Sequence, residues 1–136
     1  MVYKMLHNCI KVRDLQRSLK FYAKALHLYE KRRVQCGRVT LVYLGDEAGS
    51  AHELELNYHP EHGDTAYNLG ENPVHLAFVV DDYEASLAEH RRLGCVAVES
   101  AANHIYFVKD PDGYTIEIIP RGHFSITERG KSDEDQ

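Results

Sequence analysis

No stretch of this chain approaches the roughly 18 consecutive apolar residues that a membrane-spanning helix needs. The opening MVYKMLHNC has no apolar core of the kind a secretory signal carries. No membrane partner is expected, and the chain is expected to be cytoplasmic. Cysteine is also scarce. Cys9, Cys36 and Cys95 are odd in number, widely spaced and never form a CxxC, which excludes a disulfide framework and a zinc knuckle. They are expected to be ordinary, mostly buried thiols. Basic clusters are missing as well: 16 Lys and Arg residues are scattered among 21 acidic ones, for a net charge of -5. Such a balance gives no footprint for a phosphate backbone, so no nucleic-acid partner is expected.

What is present is a globular balance, 43% hydrophobic and 27% charged, which predicts a packed core. A length of 136 residues suits one domain. A single domain over 1–125 is expected, with 126–136 as a disordered polar tail.

The chain repeats itself. HNCIKVRDLQRSL from His7 aligns with HLAFVVDDYEASL from His75, an offset of 68 residues. His7 matches His75, Val12 matches Val80, Asp14 matches Asp82, Ser18 matches Ser86 and Leu19 matches Leu87. Both halves also end alike. LGDEAGSAHELEL and VKDPDGYTIEI each hold a strand, an acidic turn containing Gly, and a strand with an [LI]-E-[LI] triplet.

Each copy opens with a short β-branched, apolar segment, at 7–12 and 74–80, which reads as a strand. Asp14 and Asp82 then predict N-caps. Leu15, Leu19, Tyr22 and Leu26 fall at helical spacing, as do Tyr83 and Leu87. Gly94 predicts the second helix's C-cap, and His27 takes that place in the first, as a residue that tolerates positive φ. Three strands remain per half, near 30–36, 38–45 and 51–58, then 96–99, 104–109 and 114–119. The fold class is therefore α+β: two βαβββ modules, about 5–66 and 73–121, forming a curled mixed sheet around a cavity. A helix covers one face of each sheet, and the two open faces can curl around that shared cavity.

Strand parity decides what faces the cavity. Leu54, Leu56 and Tyr58 form one face of their strand, and Glu53, Glu55 and Asn57 the other. Ile10 and Val12 oppose His7, Cys9 and Lys11, and Glu117 lies between Ile116 and Ile118. A carboxylate so flanked is unfavourable to bury unless it is paired or bound to a metal. The repeat superposes His7 on His75 and Glu55 on Glu117, which predicts a His2Glu2 site. Two neutral imidazoles and two carboxylates neutralise a divalent cation. Mixed nitrogen and oxygen donors suit nickel, zinc, cobalt or iron rather than calcium or magnesium.

The residues HNCIKVRDLQRSLKFY (7–22), LELNY (54–58), HLAFVVDD (75–82) and DPDGYTIEI (110–118) resemble bacterial glyoxalase I, of the vicinal oxygen chelate superfamily. The resemblance runs from about 5 to 120 and implies the paired βαβββ fold. It implies metal ligands at His7, Glu55, His75 and Glu117, in sites formed between the subunits of a homodimer. It further implies conversion of the methylglyoxal-glutathione hemithioacetal to S-D-lactoylglutathione. Proton transfer would run through an enediolate, with Glu117 as general base and the metal as Lewis acid. A short chain of this type resembles the nickel- or cobalt-activated class; nickel is favoured, with zinc or cobalt as alternatives.

Glu55 separates this pattern from the two-His, one-Glu pattern of extradiol dioxygenases and fosfomycin-resistance proteins. Epimerases of the superfamily usually carry Gln there. Lys11 stands where the family has a glutathione-contacting Arg, and His59 where it has Asn, so both are expected to contact substrate in altered form. The loop AVESAANHIYF also lacks the family's Gly- and Lys-containing segment. A related epimerase or lyase acting on another thiol adduct or α-hydroxycarbonyl is the alternative, with a small-molecule binder behind it.

Within HELELNYHPEH, therefore, only Glu55 is expected to hold a metal. His52 has the wrong parity, Glu53 is expected to be solvated, and Glu61 and His62 fall in a polar turn. His90 and His104 are expected to be structural or surface residues. The run EKRRVQCGR reads as a charged strand edge, with Arg32 or Arg33 as a lesser candidate for meeting an anionic substrate.

Overall fold

The computed structural model describes residues 1–123, so the tail expected at 126–136 lies outside the described residues. The chain divides into two compact units, Met1–Asn68 and a second beginning at Leu69. The first contains β1 (His7–Val12), α1 (Leu15–Leu26), β2 (Tyr29–Cys36), β3 (Val39–Gly45) and β4 (Glu53–Tyr58), followed by a short 3-10 turn, Pro60–His62. The second contains β5 (His75–Val80), α2 (Tyr83–Leu93), β6 (Val96–Ser100), β7 (Ile105–Lys109) and β8 (Thr115–Pro120). Among the described residues no helix is long and apolar enough to cross a membrane.

Each unit holds one open four-stranded mixed sheet, in the orders β1-β4-β3-β2 and β5-β8-β7-β6. The first strand pairs parallel to the last, and the other neighbours are antiparallel. The two-module α+β reading is correct. The parallel pairing follows from the intervening helix, which carries the chain back before the hairpin strands are laid down. Strand β2 is an edge, as its charges imply.

The helices start and stop where their caps lie. Asp14 accepts from the backbone N–H of Arg17 at 3.0 Å, and Asp82 from that of Ala85 at 3.0 Å. Gly94 ends α2 in the left-handed region, and His27 ends α1 there with φ 53°. The packed face of α1 departs from expectation. Leu15, Ser18, Tyr22 and Ala25 are buried, while Leu19 and Leu26 are only half-covered.

Parity holds in both sheets. Ile10, Val12, Val42, Leu44, Leu54 and Leu56 are buried in the first, and Val108, Ile116 and Ile118 in the second. Each such aliphatic contributes about 1.5–3 kcal/mol by leaving water. The cysteines correct the expectation of burial: Cys9 and Cys36 are exposed and Cys95 half-buried. Cys9 shares the parity of His7 on the open face, and Cys36 ends an edge strand, so neither points into the core.

The core of unit two holds a polar cluster. The Tyr106 hydroxyl bonds Ser86 Oγ at 2.5 Å and His90 Nδ1 at 2.7 Å, with Tyr106 and His90 both buried. At the matching places in the first unit stand Ser18, Tyr22 and Val42, so the aromatic hydroxyl sits on the helix in one copy and on the strand in the other. His90 is thus structural, as expected.

Candidate functional site

The hairpins that lead into β4 and β8 set the position of both glutamates. Between β3 and β4, Asp46 accepts from Ser50 N at 2.9 Å and Ser50 Oγ at 2.5 Å, and Gly49 adopts φ 78°. Between β7 and β8, Asp110 accepts from Asp112 N and Tyr114 N, both at 2.9 Å, and Gly113 adopts φ 90°. Side-chain bonds of an Asp to nearby backbone N–H groups close such turns, and the Gly supplies the positive φ. Different chemistry thus produces the same register. Cys9 pairs with Glu55 and Ala77 with Glu117.

The consequence is the same in each unit. His7 Nε2 lies 3.4 Å from Glu55 Oε1, and His75 Nε2 lies 3.3 Å from Glu117 Oε1. Glu55 is buried, while His7 and His75 are exposed. Each imidazole stands edge-on to an aromatic ring from the strand beyond that of its glutamate, β3 in the first unit and β7 in the second. Tyr43 lies 5.4 Å from His7 at 74°, and Phe107 lies 5.5 Å from His75 at 87°.

Among the described residues, no group of three or more His, Cys, Asp or Glu side chains lies within reach of one ion. The donors come as pairs, one in each unit. Their spacing suits a metal: two ligands each about 2.1 Å from one ion stand about 3.0 Å apart at a right angle and about 3.4 Å apart at the tetrahedral angle. The observed 3.3 and 3.4 Å fall in that interval.

The surroundings of Glu55 favour its ionised form. Burial pushes its carboxyl up, but hydrogen bonds from Cys9 and Tyr43 and the charge of His7 bring it below the usual carboxylate range. The Tyr43 hydroxyl donates to Glu55 Oε1 at 2.7 Å. The Arg32 guanidinium lies 3.7 Å from the centroid of the Tyr43 ring and donates to Glu53 Oε1 at 2.9 Å. Glu53 is therefore half-buried and paired rather than simply solvated: its parity matches Glu55, and the charged edge strand supplies its partner. Partial burial and then Glu55 push the Cys9 thiol up to about 12, so it stays protonated and serves as a donor.

The other candidates lie farther along. Lys11 is exposed on the face of His7 and pairs in register with Asn57. His59 is half-buried in extended backbone just past β4. Both stand at the C-terminal end of the parallel β1–β4 pair. His52 Nε2 meets Asn8 Oδ1 at 2.8 Å, off the Glu55 face. His62 stacks on Tyr67 with centroids 4.0 Å apart, and His104 stands against Tyr83. Arg33 pairs with Glu30. Tyr43 and Arg32 as supports of Glu55 were not foreseen. The matching of Tyr43 with Phe107 across the repeat is the signal that could have found them.

Known proteins agree with this architecture. The profile of the Glyoxalase/Bleomycin resistance protein/Dioxygenase superfamily matches residues 4–118. A lactoylglutathione lyase of Haemophilus influenzae is 38% identical over 130 residues, covering 85% of this chain and 91% of that protein. A probable lactoylglutathione lyase of Vibrio parahaemolyticus is 35% identical over 127 residues, covering 85% and 89%. Among solved structures, the trypanothione-dependent glyoxalase I of Leishmania major superposes with a TM-score of 0.76 at 36% identity, covering 88% of this chain and 87% of that one. This chain belongs to the Glyoxalase/Bleomycin resistance protein/Dioxygenase (vicinal oxygen chelate) superfamily, within its glyoxalase I group of lyases.

Proposed function

We propose that this chain is a metal-dependent lactoylglutathione lyase that converts the hemithioacetal of methylglyoxal and a thiol to the D-lactoyl thioester. The observation that carries the reading is the repeated pair, His7 with Glu55 at 3.4 Å and His75 with Glu117 at 3.3 Å. Relatives named lactoylglutathione lyase, matched over most of both chains, support it.

In this reading His7, Glu55, His75 and Glu117 hold one divalent cation, nickel by preference and cobalt or zinc otherwise, in sites shared between the subunits of a homodimer. The bound cation supplies Lewis-acid polarisation of the substrate's vicinal oxygens. Glu117 takes the proton from C1, the electron pair of that C–H bond stays on the substrate, and the same carboxyl returns the proton to C2. Glu55, sunk between Leu54 and Leu56, keeps its place through the Tyr43 hydroxyl. The imidazoles of His7 and His75 are oriented by the rings beside them. Lys11 and His59, at one end of the parallel pair, meet the peptide part of the thiol.

The thiol itself is the finer question. Lys11 and His59 replace the residues that the family directs at glutathione, and a structural relative is described as trypanothione-dependent. A different thiol carrier is therefore the second reading. The test is product analysis: nickel- or cobalt-loaded protein given methylglyoxal with glutathione, and in parallel with trypanothione. Formation of the D-lactoyl thioester supports the proposal and its thiol preference decides between the readings; no thioester with any of the metals and thiols overturns it.

A further inference from the structure

The two half-sites are built alike, but the donors around their glutamates differ: the Tyr43 hydroxyl and the Cys9 thiol serve Glu55, whereas Phe107 and Ala77 stand opposite Glu117. Tyr43 faces Glu55 across β3 and β4, and Phe107 faces Glu117 across β7 and β8, at matching register. Both rings meet their histidine edge-on at nearly the same distance, 5.4 and 5.5 Å. Only Tyr43 carries a hydroxyl, and it donates to the same Oε1 that faces His7. A hydrogen bond to an ionised carboxylate is among the strong ones and fixes the oxygen that accepts it. Tyr43 is itself clamped: it is buried, and the Arg32 guanidinium, tethered to Glu53, lies against its ring. Phe107 has no donor to offer Glu117.

We infer that Tyr43 is a positioning residue that divides the work between the two carboxylates. Its hydroxyl pins Glu55 as a fixed holder of the cation, and Phe107, by lacking one, leaves Glu117 free to swing between the cation and the substrate. The inference rests on the metal-dependent reading above. It explains how a duplicated module with two equivalent carboxylates uses only one of them as the base.

The test exchanges that hydroxyl. Tyr43→Phe, Phe107→Tyr and the double exchange are purified, confirmed to melt like the parent, and loaded with cobalt(II). Cobalt affinity, the visible cobalt spectrum, kcat and KM are then measured. Tyr43→Phe should bind cobalt about tenfold more weakly and alter its spectrum, the range seen when an outer-shell partner of a ligand is removed. Phe107→Tyr should keep cobalt affinity at or above the parent value, yet lose about tenfold or more in kcat with little change in KM, because the base is now tethered. The inference is overturned if Tyr43→Phe matches the parent in affinity and spectrum, or if Phe107→Tyr keeps full kcat. The affinity and spectral arms need no turnover, so a parent protein that binds cobalt but makes no thioester defeats the lyase reading while Tyr43→Phe still decides this one. A parent that binds no cobalt overturns both.

Discussion

His7 reaches Glu55 diagonally: its direct partner across the parallel β1–β4 pair is Glu53, and its Nε2 lies 3.4 Å from the carboxylate two residues farther on. Diagonal neighbours on one face are within reach of long side chains. Glu53, although directly opposite, is taken by Arg32 at 2.9 Å. Two glutamates on one face are thereby given different employment.

The first prediction separates them. Glu55→Gln should weaken divalent-metal binding by about 100-fold or more, since losing a ligand exceeds the 10–100-fold loss typical of an outer partner. Glu53→Gln should change affinity by less than about tenfold. Titration against a chromophoric chelator reads both. Equal losses would contradict the assignment of Glu55.

The second concerns the base. Glu117→Gln should lower kcat by about 10²–10⁴-fold, the usual range for removing a general base. Steady-state kinetics on metal-loaded protein checks it, and a variant within tenfold of the parent would contradict the role.

A third addresses the thiol. Lys11→Arg and His59→Asn restore the residues that the family carries at these places. If glutathione is the carrier, the pair should lower KM for the glutathione adduct severalfold with kcat little changed, which is the signature of added uniform binding. An unchanged KM would point to another thiol.

A fourth lies away from the site. Tyr106 is fully buried, and burial holds its phenol up at about 12 against an ordinary 10.0. The sign follows from linkage. Between pH 10 and 12 the unfolded chain loses this proton while the folded one keeps it, so the stabilisation present below pH 10 is lost as pH rises through that window, by about 2 kcal/mol. Tyr106→Phe should make urea-unfolding stability fall less steeply over that range. At neutral pH it should also cost about 1–3 kcal/mol, because Ser86 and His90 lose their shared partner. A pH dependence identical to the parent's would contradict this.

Much of the architecture was legible because it follows from local chemistry. Asp14, Asp82, Gly94 and even His27 mark helix ends through their own backbone and side-chain preferences. Alternation placed Leu54 and Leu56 opposite Glu55, and the 68-residue repeat put His7 and His75 in equivalent places. Tyr43 was not legible as the partner of Glu55, because that needs the β3–β4 register, which the Asp46–Ser50 turn sets. Arg32 reaches Tyr43 across β2 and β3 only because a register shift lies between Glu30 and Arg32. Cys9 was misjudged from the general preference of cysteine for burial, although its parity with His7 already placed it on the open face.

The most direct measurement of the central claim is metal add-back. Chelator-treated protein should show negligible formation of the lactoyl thioester from methylglyoxal and thiol. Activity should return in proportion to added nickel or cobalt and saturate at one cation per two His–Glu pairs, and Glu55→Gln should abolish that saturation. Full activity in the chelated protein, or no activity at any metal loading, would contradict the account.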